Sequence, residues 1–388
     1  MDRDLGIAGR VITASKSASS SSSSETTTYV PHLVHLDRPL VRIPTVAIHL
    51  DRTQNEKFFY NQESGMQAIL GLVSEQVSTP ATVVAAIDPS PPDSSPKSPL
   101  DTQANHHPRL LELVAEELSA QGIKGASGSS VQVGDIYDFD LSLVDVQPPT
   151  LGGANEEFIF SARLDNLFST FCAVEGLADS LLPPSAASSS SSSSSAENAD
   201  LPDGSIRVVA CWDNEEIGSA SAYGAESNFL EAIIQRVVGD PAKFDQSIAN
   251  SFLISCDMGH ALHPAPDHAG KHQAEHRPLM NQGPAVKTNA KIRYASTAPT
   301  TFLLRRIAAT ANVPLQEFSV RNDMPCGSTI GPLCSKLGLR TVDIGCVQLA
   351  MHSIRETAGA DDVGPLIELL KAFFSNFQSV DRSLVMDD

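Results

Sequence analysis

The feature that most constrains this chain is the alternation of strand-like and helix-like segments across its second half. Short apolar runs are followed by stretches with helical spacing, which predicts an α/β domain with a central, mostly parallel sheet flanked by helices. The predicted strands are 206–212, 252–256 and 340–346, and the predicted helices are 163–181, 227–238, 300–310 and 364–377. In the first of these helices one apolar face is expected to pack on the core, formed by Leu164, Leu167, Phe171, Val174, Leu177 and Leu181.

The first 150 residues have a different pattern. Residues 40–52 and 135–147 resemble strands, and 108–121 starts with a proline and continues with helical spacing. We therefore predict a smaller β-rich domain over residues 1–150 and the α/β domain over residues 151–388.

Three Ser- and Pro-rich segments interrupt these domains, at residues 15–28, 87–99 and 184–204. Such segments bury too little apolar surface to offset chain entropy, so we expect surface insertions. The net charge of -19 argues against nucleic-acid binding, and no run approaches the roughly 20 apolar residues that span a bilayer. The six cysteines form no C-x-x-C pair, which favours reduced thiols and a cytoplasmic protein.

Acidic residues and a histidine follow the predicted strands or open a helix. They are Asp165, Glu215, Glu216, Asp257 and His352. Taken singly, each has a simpler explanation, such as a helix cap, a turn former or a core histidine. Together at one sheet edge, where α/β proteins bind ligands, they predict a hydrolytic site for zinc, manganese or cobalt. A glutamate beside such a site can take the proton from the attacking water, which explains two consecutive glutamates.

Long blocks of the sequence resemble one known family. SARLDN, VVACWDNEEIGSASAYGA, SFLISCDMGHALHP, GPAVKTN and QLAMHSIRE, in chain order, look like the aspartyl aminopeptidases, which are dinuclear metallopeptidases. The resemblance implies an α/β catalytic domain and a β-rich dimerisation domain. It also implies a homo-oligomer, dodecameric in the family, and removal of N-terminal Asp or Glu from peptides.

The resemblance also implies roles for single residues. Asp165 would bridge two metals, Glu216 and His352 would complete one metal site, and Asp257 would belong to the other. Glu215 would be the general base.

Two further residues would contact the substrate. Lys287 would face it, and His49 would enter a neighbouring subunit's active site. The alternatives are a solvated surface charge for Lys287 and an interface or core histidine for His49. Other candidates to hold an acidic substrate are Arg293, Arg321 and Arg355. Five histidines between residues 260 and 276 are expected to form a loop near the site rather than a second metal centre.

The chain departs from the family at its start. Family members carry a further N-terminal stretch with a His-x-Asp motif, whose histidine binds the metal that Asp257 also binds, and we expect this chain to lack that motif. Three interpretations follow: a truncated form of an active aminopeptidase, a non-catalytic subunit that acts in oligomer assembly, or a mononuclear hydrolase.

Overall fold

The computed structural model describes residues 1–17, 26–56, 59–72, 101–182 and 205–385. The chain divides into two compact units, Met1–Pro148 and Pro149–Asp388. The Ser/Pro-rich segments at 87–99 and 184–204 lie outside the described residues. The ends of the segment at 15–28 belong to two paired strands, and its middle, 18–25, is not described.

The first unit is an antiparallel sheet covered by one long helix. Its elements are β1 (Leu5–Ser17), β2 (Thr26–Val41), α1 (Thr102–Asn105), α2 (Pro108–Ala120) and β3 (Ile136–Asp145), with 3-10 turns at Arg52–Asn55 and Val133–Asp135. The strand order is β2-β1-β3, and both pairs are antiparallel. Helix α2 begins at Pro108, which needs no hydrogen-bond partner at this position. Its apolar stripe packs on the sheet, through Leu111, Val114 and Leu118 against Val11, Val34 and Ile136.

The predicted helix at 108–121 and strand at 135–147 are confirmed as α2 and β3. The predicted strand at 40–52 is wrong beyond Val41, where β2 ends. Residues 44–50 are exposed and lie outside any strand. Pro44 has no N–H to donate to a neighbouring strand, so the apolar residues that follow it did not indicate a paired segment.

The second unit combines two mixed sheets with helices. Its strands are β4 (Thr150–Gly152), β5 (Phe158–Ser161), β6 (Phe252–Cys256), β7 (Gly259–His260), β8 (Ala285–Lys287), β9 (Gln316–Phe318), β10 (Arg340–Gly345), β11 (Val347–Leu349) and β12 (Glu356–Gly359). Its helices are α3 (Leu164–Asp179), α4 (Phe229–Val238), α5 (Pro241–Ala249), α6 (Pro266–Ala269), α7 (Ala298–Thr310), α8 (Ile330–Cys334) and α9 (Val363–Asp381). There are 3-10 turns at Glu215–Ile217, Ser335–Leu337 and Ala360–Asp362.

The strand orders are β6-β10-β8-β9 and β4-β5-β12-β11-β7. The pairs β6/β10, β8/β9 and β7/β11 are parallel, and the others are antiparallel. The predicted α/β class with an additional β-rich unit is confirmed. Among the described residues no helix is both long and apolar enough to cross a bilayer.

The core of the second unit lies between the sheets and helices α3, α7 and α9. Helices α3 and α9 approach closely at Gly176, where an added Cβ would lie 2.9 Å from the Leu370 Cβ. Strand β10 approaches the end of β6 still more closely. A Cβ at Gly345 would lie 1.7 Å from the Asp257 carbonyl oxygen, so only glycine fits there. The predicted strands at 252–256 and 340–346 and the helices at 227–238, 300–310 and 364–377 are confirmed.

Two expectations about this unit are wrong. Residues 206–212 have no regular secondary structure, and within the described ranges no strand pairs with them. Ile206 and Val208 are 63% and 55% exposed. Helix α3 buries Leu164, Phe168 and Cys172, but Leu167, Phe171 and Val174 on its predicted core face are about half exposed. Because α3 is apolar on two adjacent faces, its periodicity could not distinguish the buried face.

Candidate metal centre

Three residues of the second unit bring their side-chain oxygen or nitrogen atoms close together. Asp165, Glu216 and His352 each place a potential ligand atom within 4.8 Å of the other two. The His352 Nε2 atom lies 3.3 Å from Asp165 Oδ2 and 3.0 Å from Glu216 Oε2. Two carboxylates and one imidazole from three separate segments therefore converge on one point.

Asp165 lies in the first turn of α3, which follows β5 after a short turn. Its backbone is not helical, with φ -85° and ψ 103°, so its side chain leaves the helix start in a direction that a helical residue would not take. The side chain is 4% exposed, and its Oδ1 atom has no hydrogen-bond partner among the described residues. A buried, unpartnered carboxylate oxygen is costly unless a cation meets it.

Glu215 and Glu216 form the 3-10 turn Glu215–Ile217, which lies between two residues in the left-handed region. These are Asn214 with φ 62° and Gly218 with φ 112°. Gly218 donates its N–H to the Glu215 carbonyl oxygen, 3.0 Å away. The tight turn gives the two consecutive side chains different surroundings, with Glu215 partly buried and Glu216 exposed.

His352 lies in the loop between β11 and β12, where Ala350 and His352 also have positive φ, 56° and 65°. The imidazole is 63% exposed, so its position depends on the loop rather than on packing.

Asp257 follows β6 directly, and its two carboxylate oxygens are bound from opposite sides. Asn166 donates its side-chain amide to Oδ1, and Lys287 donates its ammonium to Oδ2 over 2.9 Å. The Lys287 side chain is 2% exposed, and its Nζ also donates to the Met258 carbonyl oxygen, 2.8 Å away. Asp257 thus lies beside the three-residue cluster with a buried cation as its partner.

Burial and neighbouring carboxyls both disfavour ionisation of the acids in this site. Burial, and then the charges of Asp257 and Glu216, raise the pKa of Asp165 to about 9. Burial and the same two charges raise the pKa of Glu215 to about 7. Lys287 opposes both shifts. A divalent cation favours the ionised carboxylates and would reverse the direction of these shifts.

The residues present fit a zinc ion. Zinc accepts imidazole nitrogen and carboxylate oxygen, and catalytic zinc sites use three protein ligands with a fourth position open to substrate or water. Asp165, Glu216 and His352 supply that set, and the buried, unpartnered Asp165 Oδ1 is an atom that a cation would satisfy.

The remaining predicted residues have varied surroundings. Lys287 is not a solvated surface charge, because it is buried and paired with Asp257. His49 is exposed in a turn of the first unit. Arg321 is exposed and paired with Asp323. Of the predicted histidine loop, the rings of His260 and His272 pack at a tilted angle with centroids 4.9 Å apart. None of the five histidines belongs to the potential ligand group found among the described residues.

The expectation that the chain lacks a His-x-Asp pattern is wrong as a statement about its sequence. The pattern occurs at His35–Asp37 and at His49–Asp51. Both occurrences belong to the first unit. His35 and Asp37 lie on β2 and are largely exposed, with 3.9 Å between His35 Nε2 and Asp37 Oδ1. A tripeptide alone therefore does not identify the family's metal ligand in this chain.

Sequence reasoning missed two residues that hold the site together. Asn166 receives the Met258 N–H on its Oδ1, 3.1 Å away, while its amide binds Asp257. Glu356 is 2% exposed and accepts backbone N–H groups from both Asp165 and His352. Both lie inside the blocks SARLDN and QLAMHSIRE, and their polarity at the edge of a core sheet was the available signal.

Comparison with known proteins matches this geometry to one family. The family model described as "Aminopeptidase I zinc metalloprotease (M18)" matches residues 1–374. An aspartyl aminopeptidase of Aspergillus oryzae is 42% identical over 408 residues, covering 100% of this chain and 74% of the relative. Aspartyl aminopeptidase 4 of Saccharomyces cerevisiae is 41% identical, covering 99% and 73%.

Solved structures of related proteins match the fold of this chain. The structure titled as the Ape4 and Nbr1 complex matches with a TM-score of 0.81 at 38% identity, covering 100% of this chain and 66% of that one. The structure titled as the S. cerevisiae mApe1 dodecamer matches with a TM-score of 0.66 at 25% identity, covering 99% and 71%. The chain thus spans about three quarters of the length of these curated relatives. It belongs to the M18 family of zinc metalloproteases, whose members are aminopeptidases and hence hydrolases.

Proposed function

We propose that this chain provides the metal centre of an aminopeptidase that removes N-terminal Asp or Glu from peptides, with Glu215 as general base. The observation that carries the proposal is the convergence of Asp165, Glu216 and His352, with Glu215 next to one of them in the chain. Zinc, when bound, supplies a Lewis acid that acidifies water and polarises the scissile carbonyl. Manganese and cobalt suit the same ligands.

Glu215 is the residue that moves the proton. Its partly buried carboxyl lies in a turn that is fixed at both ends, and burial raises the pKa of the group to about 7. In its ionised form Glu215 takes a proton from the attacking water and then delivers it to the leaving amine. Glu216 cannot share this role, because its Oε2 atom faces His352 in the ligand cluster.

The relatives support the choice of an acidic substrate, because two of them are named aspartyl aminopeptidases. We propose that Lys287, a buried cation whose Nζ lies 2.9 Å from Asp257 Oδ2, faces the substrate. We propose that His49 contributes from a neighbouring subunit, in a homo-oligomer such as the dodecamer named for one solved relative. We also propose that the protein is cytoplasmic, because all six of its cysteines are free thiols. Cell fractionation tests this location.

The test is hydrolysis by the purified chain of two peptides that differ only in an N-terminal Asp or Asn, with zinc, manganese or cobalt added. We expect the Asp peptide to be cleaved faster, since Asn has the same shape without the charge. Glu215→Gln is expected to abolish cleavage, and Glu226→Gln, at an exposed glutamate of the same unit, is the matched control. Full activity in Glu215→Gln, or equal rates on both peptides, would contradict the proposal.

A second candidate function is a non-catalytic subunit in an oligomer. Its support is the apolar outer face of α3, where Leu167, Phe171 and Val174 are between 48% and 55% exposed. Neighbouring exposed apolar side chains are typical of a protein–protein interface. A folded, zinc-loaded chain that cleaves no peptide but joins oligomers of a longer relative in sedimentation experiments would favour this candidate.

A further inference from the structure

Glu356 has an unusual position for a buried carboxylate. It is the first residue of β12, its side chain lies in the core of the second unit, and the residue is 2% exposed. Its partners are two backbone N–H groups rather than a cation. Asp165 donates to Oε2 over 3.0 Å, and His352 donates to Oε1 over 2.7 Å. Each carboxylate oxygen thus accepts the backbone N–H of one of two residues, Asp165 and His352, out of the three in the ligand cluster.

The sheet topology explains why one side chain reaches both. Strand β12 lies between β5 and β11. Glu356 pairs with Ser161, the last residue of β5, and the chain continues from there to Asp165. On the other side β11 ends at Leu349, and the chain continues to His352. The two loops leave the strands on either side of β12 at the same end of the sheet, with Glu356 between them.

The loops that follow β5 and β11 contain backbone conformations that only surrounding contacts can stabilise. Arg163, Ala350 and His352 have φ values of 58°, 56° and 65°, a region that side chains other than glycine rarely adopt. Residues remain in such conformations only where the surrounding structure fixes them. His352 is also largely exposed, so packing does not place its ring. The hydrogen bond from its N–H to Glu356 is the described contact that fixes its backbone to the core.

We propose that Glu356 is a positioning residue whose carboxylate holds the backbones of Asp165 and His352 and thereby sets the spacing of the metal ligands before a metal binds. The inference rests on the proposed metal centre and goes beyond it, because Glu356 does not itself contact the metal position. Partners that orient metal ligands typically change metal affinity by about 10- to 100-fold when they are replaced.

The variant that tests this is Glu356→Gln. Glutamine keeps the size and offers one acceptor oxygen, but its amide group cannot accept the second N–H. The matched control is Asp362→Asn. Asp362 is likewise buried, and its carboxylate accepts the N–H groups of Asn281 and Gly283, each over 2.7 Å, away from the ligand cluster. Both variants lose one carboxylate–amide bond in the same unit.

Two measurements are made on folded protein: zinc affinity by competition with a chromophoric chelator, and amide hydrogen exchange in the metal-free state. We expect Glu356→Gln to bind zinc at least about tenfold more weakly and to lose exchange protection at the amides of Asp165 and His352. Asp362→Asn is expected to change zinc affinity by less than about twofold, because the two residues that its carboxylate binds, Asn281 and Gly283, do not belong to the ligand cluster. An unchanged affinity in Glu356→Gln, or an equal loss in Asp362→Asn, would overturn the proposal.

The exchange measurement also separates this inference from the proposed function. If the wild-type chain binds no zinc, the metal centre fails, but protected amides at Asp165 and His352 still support the role of Glu356. If Glu356→Gln does not fold, hydrogen exchange of the Asp165 and His352 amides in the wild-type protein tests the proposal instead. Exchange of both amides at the rate of an unstructured peptide would overturn the proposal, and protection of both would support it.

Discussion

The buried pair of Lys287 and Asp257 offers the sharpest test of how this unit is stabilised. Replacing Lys287 by Met keeps an unbranched apolar side chain but removes the ammonium. It deletes two hydrogen bonds, to Asp257 Oδ2 at 2.9 Å and to the Met258 carbonyl oxygen at 2.8 Å. It also leaves a carboxylate whose side chain is only 15% exposed without its cation. Removal of one partner of a buried ion pair costs about 3–5 kcal/mol, and we expect a loss of that size.

Urea unfolding followed by Trp212 fluorescence measures the loss. Trp212 is the sole tryptophan, and its ring lies 5.9 Å from the Phe229 ring within the second unit, so its signal reports on that unit. The matched control is Arg305→Met, which breaks an exposed pair with Glu317 in the same unit. Exposed pairs contribute about 0–1 kcal/mol. A loss below about 1 kcal/mol in Lys287→Met, with an unchanged urea slope, would refute the reasoning, because the burial of the pair would then not determine its contribution.

Three further predictions concern the same unit. Phe168→Ala should lower the free energy of unfolding by about 3–5 kcal/mol and Phe171→Ala by less than about 1 kcal/mol, because the two residues are 6% and 55% exposed; equal losses would contradict the described orientation of α3. Burial raises the pKa of Asp362 to about 6 from 3.8, so its contribution to stability is full below about pH 4 and is lost as the pH rises through 6. As the pH rises from 4 to 7, the free energy of unfolding of Asp362→Asn should therefore increase by about 2–3 kcal/mol relative to that of the wild type. A difference between the two proteins that does not change with pH would refute the raised pKa. Zinc at 100 times its dissociation constant should raise the free energy of unfolding of the wild type by about 2.7 kcal/mol. A chelator should remove this stabilisation, and His352→Ala should not show it. An undiminished stabilisation of that variant would place the metal elsewhere.

Local patterns predicted the elements that have a single apolar period. Helix α2 has one stripe behind Pro108, and its bounds were predicted to within a residue. Strand β6 is a short apolar run that ends at Asp257, and its bounds were predicted as they are. The residue types of the ligand cluster were also recognisable, because Asp165, Glu216 and His352 follow or precede elements that could be located in the sequence.

The local pattern of apolar residues did not predict strand pairing or the buried face of a helix that is apolar on two sides. Residues 206–212 have the composition of a strand, but a strand also requires a partner, and pairing is not a property of the segment itself. Helix α3 carries apolar residues on two faces, and its packing on the core of the second unit, including the close approach to α9 at Gly176, decides which one is buried. Likewise, the His-x-Asp pattern is present twice in the sequence, and both of its histidines are exposed in the first unit.

The sequence by itself determined the fold class, most of the longer helices and the identity of the metal-ligand candidates, because these depend on composition and on spacing over a few residues. Tertiary structure alone decided that Lys287 is buried against Asp257, 30 residues away in the chain, and that Glu356 binds the backbone of Asp165 across 191 residues. The physical reason is that burial and hydrogen-bond partners arise when distant strands meet at one sheet edge. No short window of sequence contains that information.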